Sequence, residues 1–289
     1  MTATKGKLYI VATPIGNLGD FTCRAVDVLG QVDLIAAEDT RQTRNLLQRY
    51  GVCTKLVSFH EHNEHRLVQD LIARMAGGGS IALVCDAGTP LISDPGFELV
   101  GAAIENGLTV VPVPGPSALI CALSVSGLAT NRFGFYGFPP RNPGPRKALF
   151  ESLIEQTGTL IFYEACHRII NCLIDCAAVF PAERKLVIAR ELTKSHETIV
   201  RTRIGDAVPL LKEDVNIQKG ELVLLIEGAS VKIREEVVSP EQLRMIEVLL
   251  DECSVKKTAE LVAKITGVRR KLLYSAALEI EKKDRDRGP

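Results

Sequence analysis

The sequence predicts an α/β protein built as two α/β domains followed by a small all-helical unit. Three observations predict it. Short, wholly apolar runs alternate with amphipathic segments through the first half, the pattern of strands buried on both faces by crossover helices. A Gly-, Pro- and Phe-rich stretch, NRFGFYGFPPRNPGP (131–145), interrupts that rhythm and marks a boundary. After Gly228 the chain reads only as helices.

The elements follow in order. KLYIVAT (7–13) is an apolar run stopped by Pro14; DLIAAED (33–39) and KLVSF (55–59) are the next strands. NEHRLVQDLIARMA (63–76) has helical spacing and ends at Gly77-Gly78-Gly79. SIALV (80–84), a helix over ELVGAAIEN (98–106) and LTVVPV (108–113) complete a mostly parallel sheet. The first domain is therefore 1–130, with 131–145 a strand plus linker. The second, 146–230, holds helix RKALFESLIEQ, strand TLIFYEA, helix HRIINCLIDCAAVF and strand KLVIAREL. HETIVRTRI (196–204) alternates like an exposed antiparallel strand, and ELVLLIEG closes the unit, so this sheet reads as mixed. The helical unit, 239–289, opens on Ser239-Pro240-Glu241, an N-cap with proline at the first helical position. It continues with QLRMIEVLLDEC and two helices joined by a turn at Thr266-Gly267. The tail KKDRDRGP reads as frayed.

Composition excludes several classes. Lys+Arg and Asp+Glu both number 35, so no global basic field exists and nucleic-acid contact needs a local patch. Such a patch lies at 256–271, where Lys256, Lys257, Lys264, Arg269, Arg270 and Lys271 face only Glu260. No run approaches the roughly 18 apolar residues of a membrane span, and the N-terminus lacks a signal-peptide core, so no membrane association is expected. The eight cysteines form no C-x-x-C pair, as in a reduced, cytoplasmic protein whose cysteines fill core. P-loop and dinucleotide fingerprints are absent, as is the G-x-S-x-G of hydrolases. HEHNEH (60–65) has Glu64 where a zinc-protease motif needs histidine, so no metal site is expected.

What remains is a set of loops at strand ends: TPIGN (13–17), EDTR (38–41), CDAGTPLISDPG (85–96) and PGPSA (114–118). Parallel strands put all four on one edge, where α/β sheets bind ligands. Gly and Pro let backbone approach a ligand, and Ser/Thr hydroxyls can bind it. Asp86 reads as a ligand contact, whereas Asp94 and Ser117 read as helix caps. YEACHR (163–168) and ARELTK (189–194) each set a carboxylate beside a cation at a strand end. An ion pair and a functional role are both open there.

The blocks TPIGNLGD, LIAAEDTRQT, VCDAGTPLISDPG, VPVPGPSA, YEACHR, ARELTKSHE and KGELVLLIEG, in that order, resemble the tetrapyrrole-methylase-like superfamily. More narrowly, the chain is similar to the bacterial methyltransferases that act on the 2′-oxygen of a cytidine in the decoding region of 16S rRNA. The resemblance implies two α/β domains of tetrapyrrole-methylase type with a ligand cleft between them, a C-terminal helix-turn-helix-like domain, and a homodimer. It implies S-adenosylmethionine as methyl donor. Pro14 and Gly16 would line the floor of the donor site, and Asp86, Ala87, Gly88, Thr89 and Ser93 its main loop. Ser117 and Ala118, beside Pro114 and Gly115, would form a wall, with Tyr163, Glu164 and Leu192 approaching the adenosine. Glu38 and Asp39 are the favoured candidates for the base, ahead of His60 and Glu164. Arg41 and Lys194, with Lys256, Lys257, Arg269, Arg270 and Lys271, would hold RNA of the small ribosomal subunit. One departure is Cys85, where relatives often carry serine; it flanks the loop, so little effect is expected. The alternatives are a small-molecule methylase of the corrinoid-precursor kind, a non-catalytic RNA-binding protein, and, more remotely, a DNA-binding regulator acting through the C-terminal helices.

Overall fold

A computed structural model describes residues 6–213, 219–230 and 238–285. The last four residues of the KKDRDRGP tail lie outside them. Two compact units are present, 1–229 and 230–289.

The first unit contains both sheets. In the first sheet, β1 (Lys7–Val11), β2 (Leu34–Ala37), β3 (Leu56–Ser58), β4 (Ile81–Val84) and β5 (Thr109–Val113) lie in the order β3-β2-β4-β1-β5. All neighbours are parallel. Because side chains alternate along a strand, Leu8, Ala36, Ile81 and Leu83 face one layer and Val11, Ile35, Ala37, Ala82 and Val84 the other. Helices α3 (Glu64–Ala76) and α4 (Phe97–Glu105) cover the first face through Val68, Leu71, Met75, Leu99 and Ala103. Helices α1 (Cys23–Gln31) and α2 (Thr40–Arg49) cover the second through Ala25, Leu29 and Leu47. Burial of each such large apolar side chain contributes about 1.5–3 kcal/mol.

The second sheet holds β6 (Phe133–Phe135), β7 (Thr159–Ala165), β8 (Lys185–Arg190), β9 (Thr198–Arg203) and β10 (Glu221–Ile226), in the order β6-β7-β10-β8-β9. β6 runs parallel to β7 and the other pairs are antiparallel, so this sheet is mixed. Helices α6 (Pro143–Leu153), α7 (Ile169–Val179) and α8 (Ile204–Glu213) pack on one face around Phe150, Phe162, Leu173 and Leu224. The opposite face is covered by α5 (Ala118–Ser126), with Leu119, Ala122 and Leu123 set against Ile161, Val187 and Val223.

Two boundaries therefore move. Helix α5, read as part of the first domain (1–130), packs on the second sheet. The stretch read as a strand plus linker (131–145) supplies that strand, the edge strand β6, and also the first turn of α6.

The second unit is a three-helix core. Helices α9 (Pro240–Leu250), α10 (Val255–Thr266) and α11 (Arg270–Arg285) meet around Ile246, Ala259, Val262, Leu273 and Ala277. Ser239 caps α9 in a reciprocal box with Gln242, and Gly267, at φ 72°, ends α10 in the left-handed conformation.

Candidate active site

The loop 85–96 is a hub for the other three loops at the edge of the first sheet. Thr13 and Gly88 exchange backbone hydrogen bonds at 2.8 and 3.0 Å. Thr89 Oγ1 donates to the Pro116 carbonyl at 3.1 Å. Asp86 accepts from the Asp39 backbone N–H at 3.0 Å and from the Gln42 amide at 3.2 Å. The turn-formers of this stretch let one loop meet three others. Gly88, at φ 88°, makes that bridge without strain, and Gly96, at φ 125°, passes so close to Leu83 that a Cβ would stand 2.4 Å from its Cδ2. Among the described residues, the non-glycine residues with positive φ are Leu91, Ser93, Glu191 and Thr193, all on two loops beside one cavity. Each costs on the order of 1–3 kcal/mol, and such strain collects at functional sites.

That cavity, of about 440 Å³, opens where the two sheets' loops meet. Asp86, Ala87, Gly88, Thr89, Ser93, Ser117, Ala118, Tyr163, Glu164 and Leu192 all line it, and so does Glu38. Pro14 and Gly16 do not; Ile15 between them does. Gly16 instead lets the loop 13–17 lie on the second sheet's loop: a Cβ there would stand 2.4 Å from Lys194 Cγ and 3.0 Å from the Leu192 carbonyl. Beside it, the Asn17 N–H donates to Thr193 Oγ1 at 3.0 Å. Ile92, Phe138, Ala165, Cys166, Ala189 and residues 220–223 complete the lining without having been read as ligand contacts in the sequence, and Asp94, read as a helix cap, lines it too. Their signal was present in the blocks SDPG, FGFYGF, YEACHR and KGELV, but nothing in those blocks distinguishes wall residues from neighbours.

The electrostatics are one-sided. Among the described residues, no Lys, Arg or His lines the cavity, whereas Glu38, Asp86, Asp94, Glu164 and Glu221 do. Among the described residues, too, no cation lies within ion-pair distance of Glu38, Asp86 or Asp94. Burial raises all three above their ordinary values; the Glu38 bond to the Asp86 backbone N–H works against the rise, and the neighbouring carboxylates add to it. Glu164 is 2% exposed; its Oε1 accepts from the Ala165 N–H at 2.8 Å and faces Arg168 Nε at 3.1 Å. Its Oε2 is buried and has no hydrogen-bond partner. The side chain is fully buried and lies beside the Cys172 thiol of α7, so its carboxylate sits behind the wall rather than in the cavity.

Several expected roles fall elsewhere. Asp39 lies outside the cavity lining. It caps α2 through the Arg41 N–H at 2.8 Å and holds the Arg41 guanidinium at 2.9 Å, which together keep its carboxyl down at about 2. The pair lies at the surface, with Arg41 exposed. Lys194 is held by Glu191 at 2.9 Å and Glu221 at 3.3 Å. YEACHR and ARELTK thus carry the ion pairs Glu164–Arg168 and Glu191–Lys194. Asp94 does not cap α4; Glu64, from α3, accepts from the Gly96 and Glu98 N–H groups at 3.1 and 3.2 Å. Ser117 stands at the N-cap position of α5 but makes no capping bond. Within HEHNEH, Glu64 makes the α4 cap and His65 lies on Glu98 at 2.6 Å. Cys85 is buried, its thiol donating to the Ala87 and Gly88 carbonyls at 3.4 Å each; burial pushes the thiol up, so it is inert.

In the helical unit Lys256, Lys257, Arg269, Arg270 and Lys271 are all exposed. Lys257 and Lys264 share Glu260, at 3.6 and 2.9 Å.

Strained loops at the ends of parallel strands, a second mixed sheet and a carboxylate-lined cavity between them define a class, and comparison with known proteins names it. Residues 7–208 match the family of Tetrapyrrole (Corrin/Porphyrin) Methylases, and residues 236–281 match the RsmI C-terminal HTH domain. The chain belongs to the tetrapyrrole methylase family and, within it, to the group of its curated relatives. It is 48% identical over 276 residues to the ribosomal RNA small subunit methyltransferase I of Escherichia coli O157:H7, covering 96% of each chain. To the protein of the same name from Synechocystis sp. (strain ATCC 27184 / PCC 6803 / Kazusa) it is 46% identical over 278 residues, covering 96% of this chain and 99% of that one. Among solved structures, uroporphyrin-III-C-methyltransferase from Thermus thermophilus superposes with a TM-score of 0.54 at 21% identity, over 77% of this chain and 94% of that one. This last likeness concerns the fold.

Proposed function

We propose that this methyltransferase moves a methyl group from S-adenosylmethionine to the 2′-hydroxyl of a cytidine in the decoding region of 16S rRNA, acting in the cytoplasm as a homodimer. The observation that carries the reading is the cavity's charge: Glu38, Asp86 and Asp94 line it and, among the described residues, have no cation within ion-pair distance. A phosphate-bearing cofactor would be repelled there. A sulfonium with an α-amino group and ribose hydroxyls finds both its counter-charge and its acceptors. The residues fit the donor on that ground.

When bound, the donor supplies a methyl group already activated on sulfur. The chain's own task is alignment, worth several kcal/mol when reacting atoms are held in line. The cross-tied loops 13–17, 38–41, 85–96 and 114–118 supply that rigidity. Glu38 is the favoured base: it lines the cavity, and burial makes its carboxylate a better proton acceptor than a free glutamate. Asp86 holds the Glu38–Asp39 loop in place through the Asp39 N–H. In the helical unit, the exposed cations suit phosphate contacts that position RNA without reading sequence. These contacts favour RNA over the small-molecule alternative. No described helix is long and apolar enough to cross a membrane.

The test is methyl-labelled donor with small ribosomal subunits from a strain lacking the modification, the label being mapped to a nucleotide. Label on one decoding-region cytidine ribose, abolished in Glu38→Gln, supports the reading. Donor binding with no label on subunits or free RNA favours a small-molecule methylase, and no donor binding leaves a non-catalytic protein.

A further inference from the structure

The cavity's rim carries an exposed aromatic ring. Phe138 lines the cavity yet is 53% exposed, and Ile92, from the opposite sheet's loop, lines it at 38%. An exposed aromatic beside a second apolar residue at the mouth of a cavity is a surface a flat apolar group can cover. The ring does not flop. It packs edge-on against Tyr163 at 5.7 Å, and Tyr163 packs edge-on against Phe135 at 4.7 Å. The backbone on either side is pinned: Tyr163 N–H donates to the Gly137 carbonyl at 3.0 Å, Arg168 donates to the Pro139 carbonyl, and Arg146 donates to the carbonyls of Pro140 and Arg141 at 3.2 and 3.0 Å. Gly137 approaches the opposite loop closely enough that a Cβ would lie 3.7 Å from Ser93 Oγ. The platform thus stands where the loops of the two sheets meet.

The charge of the cavity says what can cover it. With carboxylates on the wall and no cation, the phosphates of a polynucleotide are kept outside. Only the uncharged part of a nucleotide, base and ribose, can enter. Once a nucleotide is turned out of its stack, its base needs a replacement for the lost stacking partner. We propose that Phe138 is the stacking platform for the acceptor nucleobase, with Ile92 as the apolar contact across from it. This rests on the ribosomal RNA reading above and assigns the part of that site which takes the base.

The chain has no tryptophan, so Phe138→Trp in the full-length protein introduces its single tryptophan at the rim. Its emission is expected to be quenched by small ribosomal subunits lacking the modification, and not by S-adenosylmethionine alone. Phe138→Ala is expected to lower kcat/KM for those subunits by about 5- to 140-fold, the worth of one base–aromatic stack. Donor Kd should change less than kcat/KM in Phe138→Ala, and Phe138→Trp, which keeps an aromatic face, should lose less kcat/KM than Phe138→Ala. A donor Kd that rises as far as kcat/KM falls would mean that the ring covers the donor, overturning the proposal. So would an unchanged kcat/KM, or a loss that tracks a change in oligomeric state, which would mean that a second copy covers the ring. Wild-type protein that binds donor but labels no ribosomal RNA refutes the parent reading by itself, and this proposal with it.

Discussion

The loop that carries Phe138 hangs on a buried ion pair, and the pair yields a quantitative test. Arg146 and Asp175 are 3% and 5% exposed. Asp175 Oδ2 accepts from Arg146 Nε at 2.7 Å and from Nη2 at 2.5 Å, while Nη1 serves the carbonyls of Pro140 and Arg141. Asp175→Ala leaves a guanidinium in the core with no counter-charge, a loss of about 3–5 kcal/mol. Lys147, 3.4 Å from the same carboxylate, is half exposed and returns to water at little cost. Removing both charges with apolar residues, as in Arg146→Met with Asp175→Leu, avoids the stranded ion. It strands only two carbonyls, and water reaches that loop more easily than the core. The double variant is therefore expected to be more stable than Asp175→Ala by at least about 1 kcal/mol. Urea unfolding followed by circular dichroism, with midpoints compared at a common slope, measures wild type and both variants. If Asp175→Ala costs less than about 1 kcal/mol, or the double variant is no better than the single one, the stranded-charge argument is wrong.

Glu38→Gln should lower kcat by about 10²–10⁴-fold in single-turnover assays with little change in donor Kd. Because a base must be ionised and burial raises Glu38, the wild-type rate should fall as pH drops through that raised value, and the variant should lack this limb. Asp94→Asn should weaken donor binding yet raise the melting temperature of the donor-free protein. Its carboxyl is raised in the native state, so its contribution to stability is present at low pH and lost as pH climbs through the raised value, and an amide removes that loss. Thermal melts with and without donor decide it. Replacing Lys256, Lys257, Arg270 and Lys271 by glutamine should flatten the salt dependence of RNA binding, by about 0.7–0.9 in log–log slope for each phosphate no longer neutralised, with donor affinity unchanged.

The parts of the site legible in the sequence are those governed by local rules. Apolar runs ending in Gly, Pro and Asp marked the strand ends, and parallel topology then placed loops 38–41, 85–96 and 114–118 on one edge. Distant partners were not legible. Glu64 caps α4 from 32 residues away, displacing the nearer Asp94, because a buried carboxylate from α3 reaches the exposed N–H groups first. Asp39 and Glu38 are adjacent and chemically alike. Only the turn of the backbone sends one to the helix cap beside Arg41 and the other into the cavity. The Lys194–Glu191 pair was open in the sequence, but the second partner, Glu221, lies on a strand far along the chain. Helix α5 has apolar residues nearly all round, so periodicity does not say which sheet it covers.

The two units differ in charge, and this difference makes the functional reading separable by experiment. A single surface cannot both attract a polyanion and hold a sulfonium in a low-dielectric cavity, since each charge pattern repels the other ligand. Here the carboxylates lie in the cavity of the first unit and the clustered cations on the exposed faces of the second. Salt screens exposed charges far more than buried ones. Raising ionic strength should therefore raise KM for ribosomal subunits steeply while leaving donor Kd nearly constant. Charge removal in the helical unit should mimic added salt, and charge removal in the cavity should not. A donor affinity that falls with salt as steeply as RNA affinity would mean that the cavity carboxylates are solvated, and the electrostatic case for the donor site would fail.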